Sequence, residues 1–309
     1  MKQQLQTLVL PIALTIGFLF SDLFAGWGGV TPYLIFIMLF ITFCGIAPSQ
    51  MRFSKLYLWL LLIQVGGSLA VYGCLLPFGH TVAQGIMICV LAPTATSAVV
   101  IAGMLGANIT TMATYTLLSN IAVAGAAPVI FSYVGQLSDI PFWESFIMIL
   151  SKVGPLLVLP FVAALLIKKL APGAAGLIKR VGGLSFYLWS LALMIVTGQT
   201  VEFIAAEQPE NYSTEILIAG ISLILCVLQF LAGRRIGKRY GDTVAGGQSL
   251  GQKNTVLAIW MSQVYLDPVS SIGPASYVLW QNLVNSFQIW RKQLYGKRAV
   301  KNGDGKPES

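Results

Sequence analysis

Charge is scarce in this 309-residue chain: Asp, Glu, Lys and Arg together make up 10% of it, against roughly 25% in a soluble domain. There is too little ionic surface to cover a water-solvated globular fold. Histidine occurs once, as His80, beside Pro77 and Gly79 in what reads as a solvated outward loop. No Asp pair, Ser-Lys pair, Ser-His pair or metal-ligand cluster falls within the apolar runs, so neither an intramembrane enzyme nor a metal centre has a basis in the sequence. The four cysteines, Cys44, Cys74, Cys89 and Cys226, lie inside or at the ends of apolar runs, where a thiol behaves as a small hydrophobe. They form neither a disulfide framework nor zinc spacing. No region is polar enough to be a separate soluble domain; residues 292–309 alone read as a cytoplasmic tail, solvated and disordered. The expectation is one membrane domain, residues 1–291.

What the chain has in abundance is apolar sequence, 56% of the total. Runs near the twenty residues needed to cross a hydrocarbon core recur along its length. The pattern predicts an all-α bundle of about ten spans: 7–24, 31–47, 56–76, 81–105, 108–133, 154–170, 184–204, 216–232, 246–265 and 269–290. Residues 141–152, with Glu144 and Lys152 at its ends, read as a lead-in to the sixth span or an interfacial helix. The start of the chain has an apolar run with no small-residue cleavage site after it, so it reads as the first span rather than a removed signal.

Basic residues collect in cytoplasmic loops of bacterial-type membrane proteins. All 19 basic residues except Lys152 and Lys253 fall on one side of this ten-span count, in groups around Lys2, Arg52, Lys168, Arg234 and Arg291. Most acids, including Asp22, Asp139, Glu144, Glu202, Glu207, Glu210, Glu215 and Asp267, fall on or near the other. Both termini are therefore expected in the cytoplasm, in a multi-pass protein of the inner (plasma) membrane. The positive net charge of +8 reads as topology, which argues against a nucleic-acid partner; lipid is the expected surround, and the oligomeric state is open. Tryptophans and tyrosines such as Trp27, Trp143 and Tyr240 suit the interfacial belts.

The fourth and ninth spans carry polar or helix-breaking clusters at mid-depth. The fourth is interrupted at Ala92-Pro93-Thr94-Ala95-Thr96-Ser97, where proline removes a backbone donor and disfavours helix before it. In the ninth, Gly246 to Thr255 is polar and glycine-rich. Broken helices in hydrocarbon survive only where protein or a water-filled cavity satisfies their backbone. The two clusters occupy the same place in each five-helix half, the pattern of two inverted repeats with a binding site at mid-membrane. Two ordinary kinks are the plainer alternative.

At these residues the chain resembles the bile acid:sodium symporter family of ten-span carriers. Pro93-Thr94-Ala95-Thr96-Ser97-Ala98-Val99 stands where that family has Pro-Gly-Gly-Thr-Ala-Ser-Asn, Ser249 precedes Lys253-Asn254 where it has an acid before Gln-Asn, and Trp280-Gln281-Asn282 is similar to its Trp-His-Asn. The resemblance covers nearly the whole chain. It implies a panel of spans one, two, six and seven, a core of spans three to five and eight to ten, and alternating-access transport of a small or amphipathic organic anion. The fourth and ninth helices would be discontinuous and would cross at mid-membrane. Substrate contacts are expected from Thr96, Ser97, Lys253, Asn254, Thr255 and Asn282, and coupling from Gln64, Thr116, Ser249 and Lys253.

Departures fall on the positions that the resemblance assigns to sodium: Ser249 for a Glu, Lys253 for a Gln, and Ala98-Val99 for Ser-Asn. A fixed ammonium repels a second cation in a low dielectric. Lys253 is therefore read as an internal cation in place of bound sodium, satisfied by Gln64, Ser249 and the carbonyls ending the first half-helix; transport would be sodium-independent or proton-linked, with no cofactor. Snorkelling of Lys253 to an interface is the bland alternative. Competing functions are a sodium-coupled anion symporter, a channel and a membrane sensor. His80 is expected to be solvated, Asp267-Pro268 to form a turn, and the pairs Gly66-Gly67 and Gly246-Gly247 to permit close helix approach.

Overall fold

The computed structural model describes residues 12–45, 51, 53–135, 140–180, 184–206 and 212–301. Lys2, Arg52, Asp139, Glu207, Glu210 and Lys306, used above for orientation, lie outside these residues, as do the start of the first span and the end of the tail. Among the described residues the chain is helical, with no named strand and one isolated antiparallel bridge, Thr94 to Lys253. In order the helices are α1 (12–19), α2 (Ser21–Ala25), α3 (Thr31–Gly45), α4 (Lys55–Leu75), α5 (His80–Leu91), α6 (Ser97–Met104), α7 (Ile109–Val134), α8 (Phe142–Leu170), α9 (Pro172–Arg180), α10 (Leu184–Ala206), α11 (Tyr212–Arg239), α12 (Thr243–Gly251), α13 (Thr255–Tyr265) and α14 (Ile272–Lys301).

Five segments, Gly28–Gly45, Lys55–Phe78, Ile109–Val134, Phe142–Leu170 and Tyr212–Arg239, are long and apolar enough to cross a membrane. Their outer faces expose large apolar side chains, among them Ile37, Leu62, Ile121, Ile147, Leu166 and Ile224, which water would not tolerate in such number and lipid would. The chain is an all-α membrane protein. Its largest internal cluster draws on α3, α5, α7, α8, α10 and α13, with Ile35, Met87, Phe131, Val153, Leu193 and Leu257 all buried.

Local sequence explains where helices begin. Ser54 accepts from the Leu56 amide at the start of α4, Asn108 from Thr110 and Thr111 at the start of α7, and Asp242 from Ala245 at the start of α12. Each side-chain oxygen satisfies an amide that the first turn leaves without a partner. Two lysines tie helix ends together at the basic end: Lys168 Nζ donates to Phe43 O at 2.9 Å and Lys292 Nζ to Met104 O at 3.1 Å.

The structure bears on three sequence expectations. Residues 141–152 run unbroken into the sixth span, since α8 continues through Pro155 and Pro160; the lead-in reading fits and a separate interfacial helix does not. Each proline removes only one donor, and with no water to compensate a break, continuing the helix is the cheaper outcome. At 29 residues α8 is roughly 43 Å long, more than the ~30 Å of hydrocarbon, so an exposed Lys152 need not sit at its centre. The last helix likewise runs past Trp290 to Lys301, into the segment expected to be a disordered tail. The glycine pairs also differ from one another. A Cβ on Gly66 or Gly67 would meet only ordinary contacts at 3.6 and 3.7 Å, whereas one on Gly246 would overlap Gly233 O and lie 2.8 Å from Gly237 Cα.

That glycine seam lets α11 and α12 touch backbone to backbone. Gly246→Val should therefore cost on the order of 1–3 kcal/mol or more as overpacking, read as a lowered melting temperature in detergent, while Gly66→Ala should leave it nearly unchanged. Equal effects of the two would refute the seam.

Candidate functional site

The interrupted helices meet at their gaps. Helix α5 ends at Leu91 and α6 begins at Ser97; α12 ends at Gly251 and α13 begins at Thr255. The freed peptide groups pair across the crossing: the Ala95 amide donates to Gln252 O at 2.9 Å, and the Asn254 amide to Pro93 O at 2.8 Å. These two bonds frame the Thr94–Lys253 bridge, so each break supplies what the other lacks. Thr94 is fully buried and completes the joint, its amide donating to Ser119 Oγ at 3.0 Å and its hydroxyl to Ser249 O at 2.8 Å.

Lys253 is only 1% exposed, which rules out snorkelling. Its ammonium donates to Val90 O at 2.7 Å and Ala92 O at 3.2 Å, the carbonyls at the C-terminal end of α5. A cation there meets unpaired carbonyls and the negative end of the helix dipole together. Gln64 does not touch the ammonium directly but donates to Leu91 O at 2.9 Å and to the same Ala92 O at 3.1 Å. Its own oxygen accepts from Tyr115 Oη at 2.8 Å and Ser119 Oγ at 2.9 Å. The peptide of Lys253 is clamped by Gln281, which accepts from its amide at 2.8 Å and donates to its carbonyl at 3.3 Å.

The expected site residues divide accordingly. Lys253, Asn254 and Thr255 are at the crossing, as is Gln64. Asn254 caps α13 by accepting from the Leu257 amide at 3.3 Å, and Thr255 is buried beside it. Thr96 is half-buried at the start of α6 without making a side-chain cap, and Ser97 is exposed and within 3.4 Å of Gln252 Nε2. Three expected residues point elsewhere. The Ser249 hydroxyl turns to Met112 Sδ at 3.5 Å rather than to Lys253, Thr116 bonds back to Met112 O at 2.9 Å, and Asn282 bonds back to Val278 O at 2.7 Å.

On α14 the face bonded to the second break and to α12 is Tyr277, Gln281, Asn285 and Gln288, spaced by four, four and three residues as one side of a helix requires. Tyr277 donates to Gly251 O at 3.0 Å, and Asn285 pairs with Gln252 and with Gln248. That spacing is present in the sequence, and the neighbouring Asn282 lies off the stripe. Other expectations resolve simply. His80 is exposed at the start of α5 and shares a hydrogen bond with Tyr72, and Asp267 caps a 3-10 turn over Pro268–Ser271.

At the positions that the resemblance assigns to sodium, an ammonium holds the Val90 and Ala92 carbonyls, Ser249 donates to Met112 Sδ and Thr116 to Met112 O, and among the described residues no carboxylate hydrogen-bonds Lys253. No family model matches the chain, and no curated protein matches it either.

Because Gln281 accepts from the buried Lys253 amide, while the Lys253 carbonyl keeps the Thr255 amide at 3.0 Å, Gln281→Leu should destabilise by about 1–3 kcal/mol through one unsatisfied buried donor. Asn282→Leu should cost far less. Thermal denaturation of the two variants side by side checks this, and the reverse order would refute the clamp.

Proposed function

We propose that the chain is a secondary transporter of a small or amphipathic organic anion, working by alternating access and needing no sodium because Lys253 is its resident cation. The observation that carries the reading is the crossing itself: two helices interrupted at depth, pairing gap to gap around a buried ammonium. Both second halves, α6 and α13, start at that crossing, so the positive ends of their dipoles lie together beside one positive side chain. The first turn of α6 has no side-chain cap, and with Ser97 exposed it is open to an acceptor from a ligand. A carboxylate meets all of these requirements.

The packing supports ten spans in two inverted halves. Counting α1 with α2 as the first span, it lies against α10 as α3 lies against α8; α5 is flanked by α4 and α14 as α12 is flanked by α11 and α7. Exchanging the two five-span halves maps each of these contacts onto another, and the reciprocal bonds of the Thr94–Lys253 bridge sit where the exchange axis would pass. In this reading the core of spans three to five and eight to ten moves against the panel, as in the carriers that the sequence resembles. The anion binds at Thr96, Ser97, Asn254 and Thr255 beside Lys253, while Gln64 fixes the carbonyl that the ammonium shares. The basic loops are cytoplasmic, and the membrane is the inner or plasma membrane.

Purified protein in liposomes, offered a panel of carboxylates with potassium or choline in place of sodium, should show saturable uptake and counterflow that persist without sodium. Flux that requires sodium would overturn the coupling, and unsaturable flux or none would overturn the carrier. The double substitution Ser249→Glu with Lys253→Gln should move flux toward sodium dependence.

A further inference from the structure

A cavity of about 390 Å³ opens at the basic end of the bundle, away from the half-helix starts where an anion would bind. Ser54 at the start of α4, Asn108 and Thr111 at the start of α7, and Tyr240, Gly241 and Asp242 in the α11–α12 turn line it. The three helix N-termini around it are each capped by their own side chains, and Asp242 adds a carboxylate to an end otherwise rich in Lys and Arg.

Contacts run from this cavity to Lys253. Thr111, on the wall, is a near neighbour of the buried Tyr57, whose ring lies 6.2 Å from that of Tyr115. The Tyr115 hydroxyl donates to Gln64 at 2.8 Å, and Gln64 shares Ala92 O with the Lys253 ammonium. The layer between cavity and amide is the cluster of Leu56, Tyr57, Leu60, Tyr115 and Leu250.

We propose that this cavity is the entrance through which Lys253 exchanges its proton with the solution at the basic end, with Tyr57 and Tyr115 as a plug that opens to admit water. The inference rests on the carrier reading and adds to it a cation route separate from the anion's. When the plug opens, an N–H bond of the ammonium breaks, its electron pair stays on Nζ, and the proton bonds to a water oxygen and leaves past Asp242. The opposite direction is electrostatically worse, since the starts of α6 and α13 present positive dipole ends to a departing hydronium. The titratable groups around Lys253 are Cys89 on α5, with Cys226 of α11 and Tyr277 of α14 behind it, and Tyr115 of α7 beyond Gln64. None is a carboxylate; the carboxylate on this path is Asp242.

The test is thiol labelling in oriented proteoliposomes, in a chain whose four native cysteines are replaced by alanine or serine. Lys253→Cys should react with a charged, membrane-impermeant methanethiosulfonate about tenfold faster from the basic face than from the other, equivalent to ~1.4 kcal/mol in barrier. Adding Tyr115→Ala should speed the reaction and Thr111→Trp, which fills the cavity, should slow it. Should Lys253→Cys fail to fold, Tyr115→Cys with Lys253 intact decides the same question by the same comparison. Reaction mainly from the opposite face, or a rate indifferent to Thr111→Trp, overturns the route while leaving the carrier standing. Labelling as expected in a protein without carboxylate flux would keep the route and sink the carrier.

Discussion

Everything at the centre of this molecule follows from the cost of leaving a peptide group unpaired in hydrocarbon. Two helices stop short inside the bundle, and each gap exposes amides and carbonyls that lipid cannot satisfy. The two gaps solve the problem jointly. Ala95 and Asn254 donate across to Gln252 and Pro93, Gln281 clamps the Lys253 peptide, and the Lys253 ammonium takes the carbonyls that end α5. The arrangement is one mutual hydrogen-bonded unit, so a change at one break is felt at the other.

A buried ammonium is costly unless its donors are matched, and here its surroundings are neutral carbonyls and amides rather than a counter-carboxylate. Such matching is weaker than an ion pair and leaves the positive charge without a counter-charge. The second ring of contacts, Gln64 with Tyr115 and Ser119, holds those carbonyls in place. Polar side chains thus serve the backbone, which is why amides and hydroxyls from α4, α7 and α14 surround the crossing.

Much of this was legible in the chain. The proline at 93 and the glycine-rich, polar stretch before Thr255 marked the breaks, and an ionisable residue inside a span marked the interior. The same reading missed Thr94, Gln281, Asn285, Tyr115 and Asp242, and for different reasons. Gln281 and Asn285 stand on a helical stripe with Tyr277 that periodicity alone could have separated from Asn282. Thr94 and Tyr115 matter only because of what a distant segment places beside them, information that no local window contains. Ser249, Thr116 and Asn282 stand at positions that the resemblance singles out, but position along a helix does not fix a partner, and their side chains bond Met112 Sδ, Met112 O and Val278 O. Proline alone does not mark a break: at 155 and 160 a long apolar helix simply absorbs it.

The seam of Gly233, Gly237 and Gly246 carries one more consequence. Where two backbones touch with no side chains between them, there are no rotamers to rearrange and little room for sliding. Helices α11 and α12 are in effect welded, and α12 must travel with α11 as a single lever. Relative displacement is left to joints made of adjustable side chains, such as α10 against α13, where Gln263 reaches Thr200 and the Val196 carbonyl.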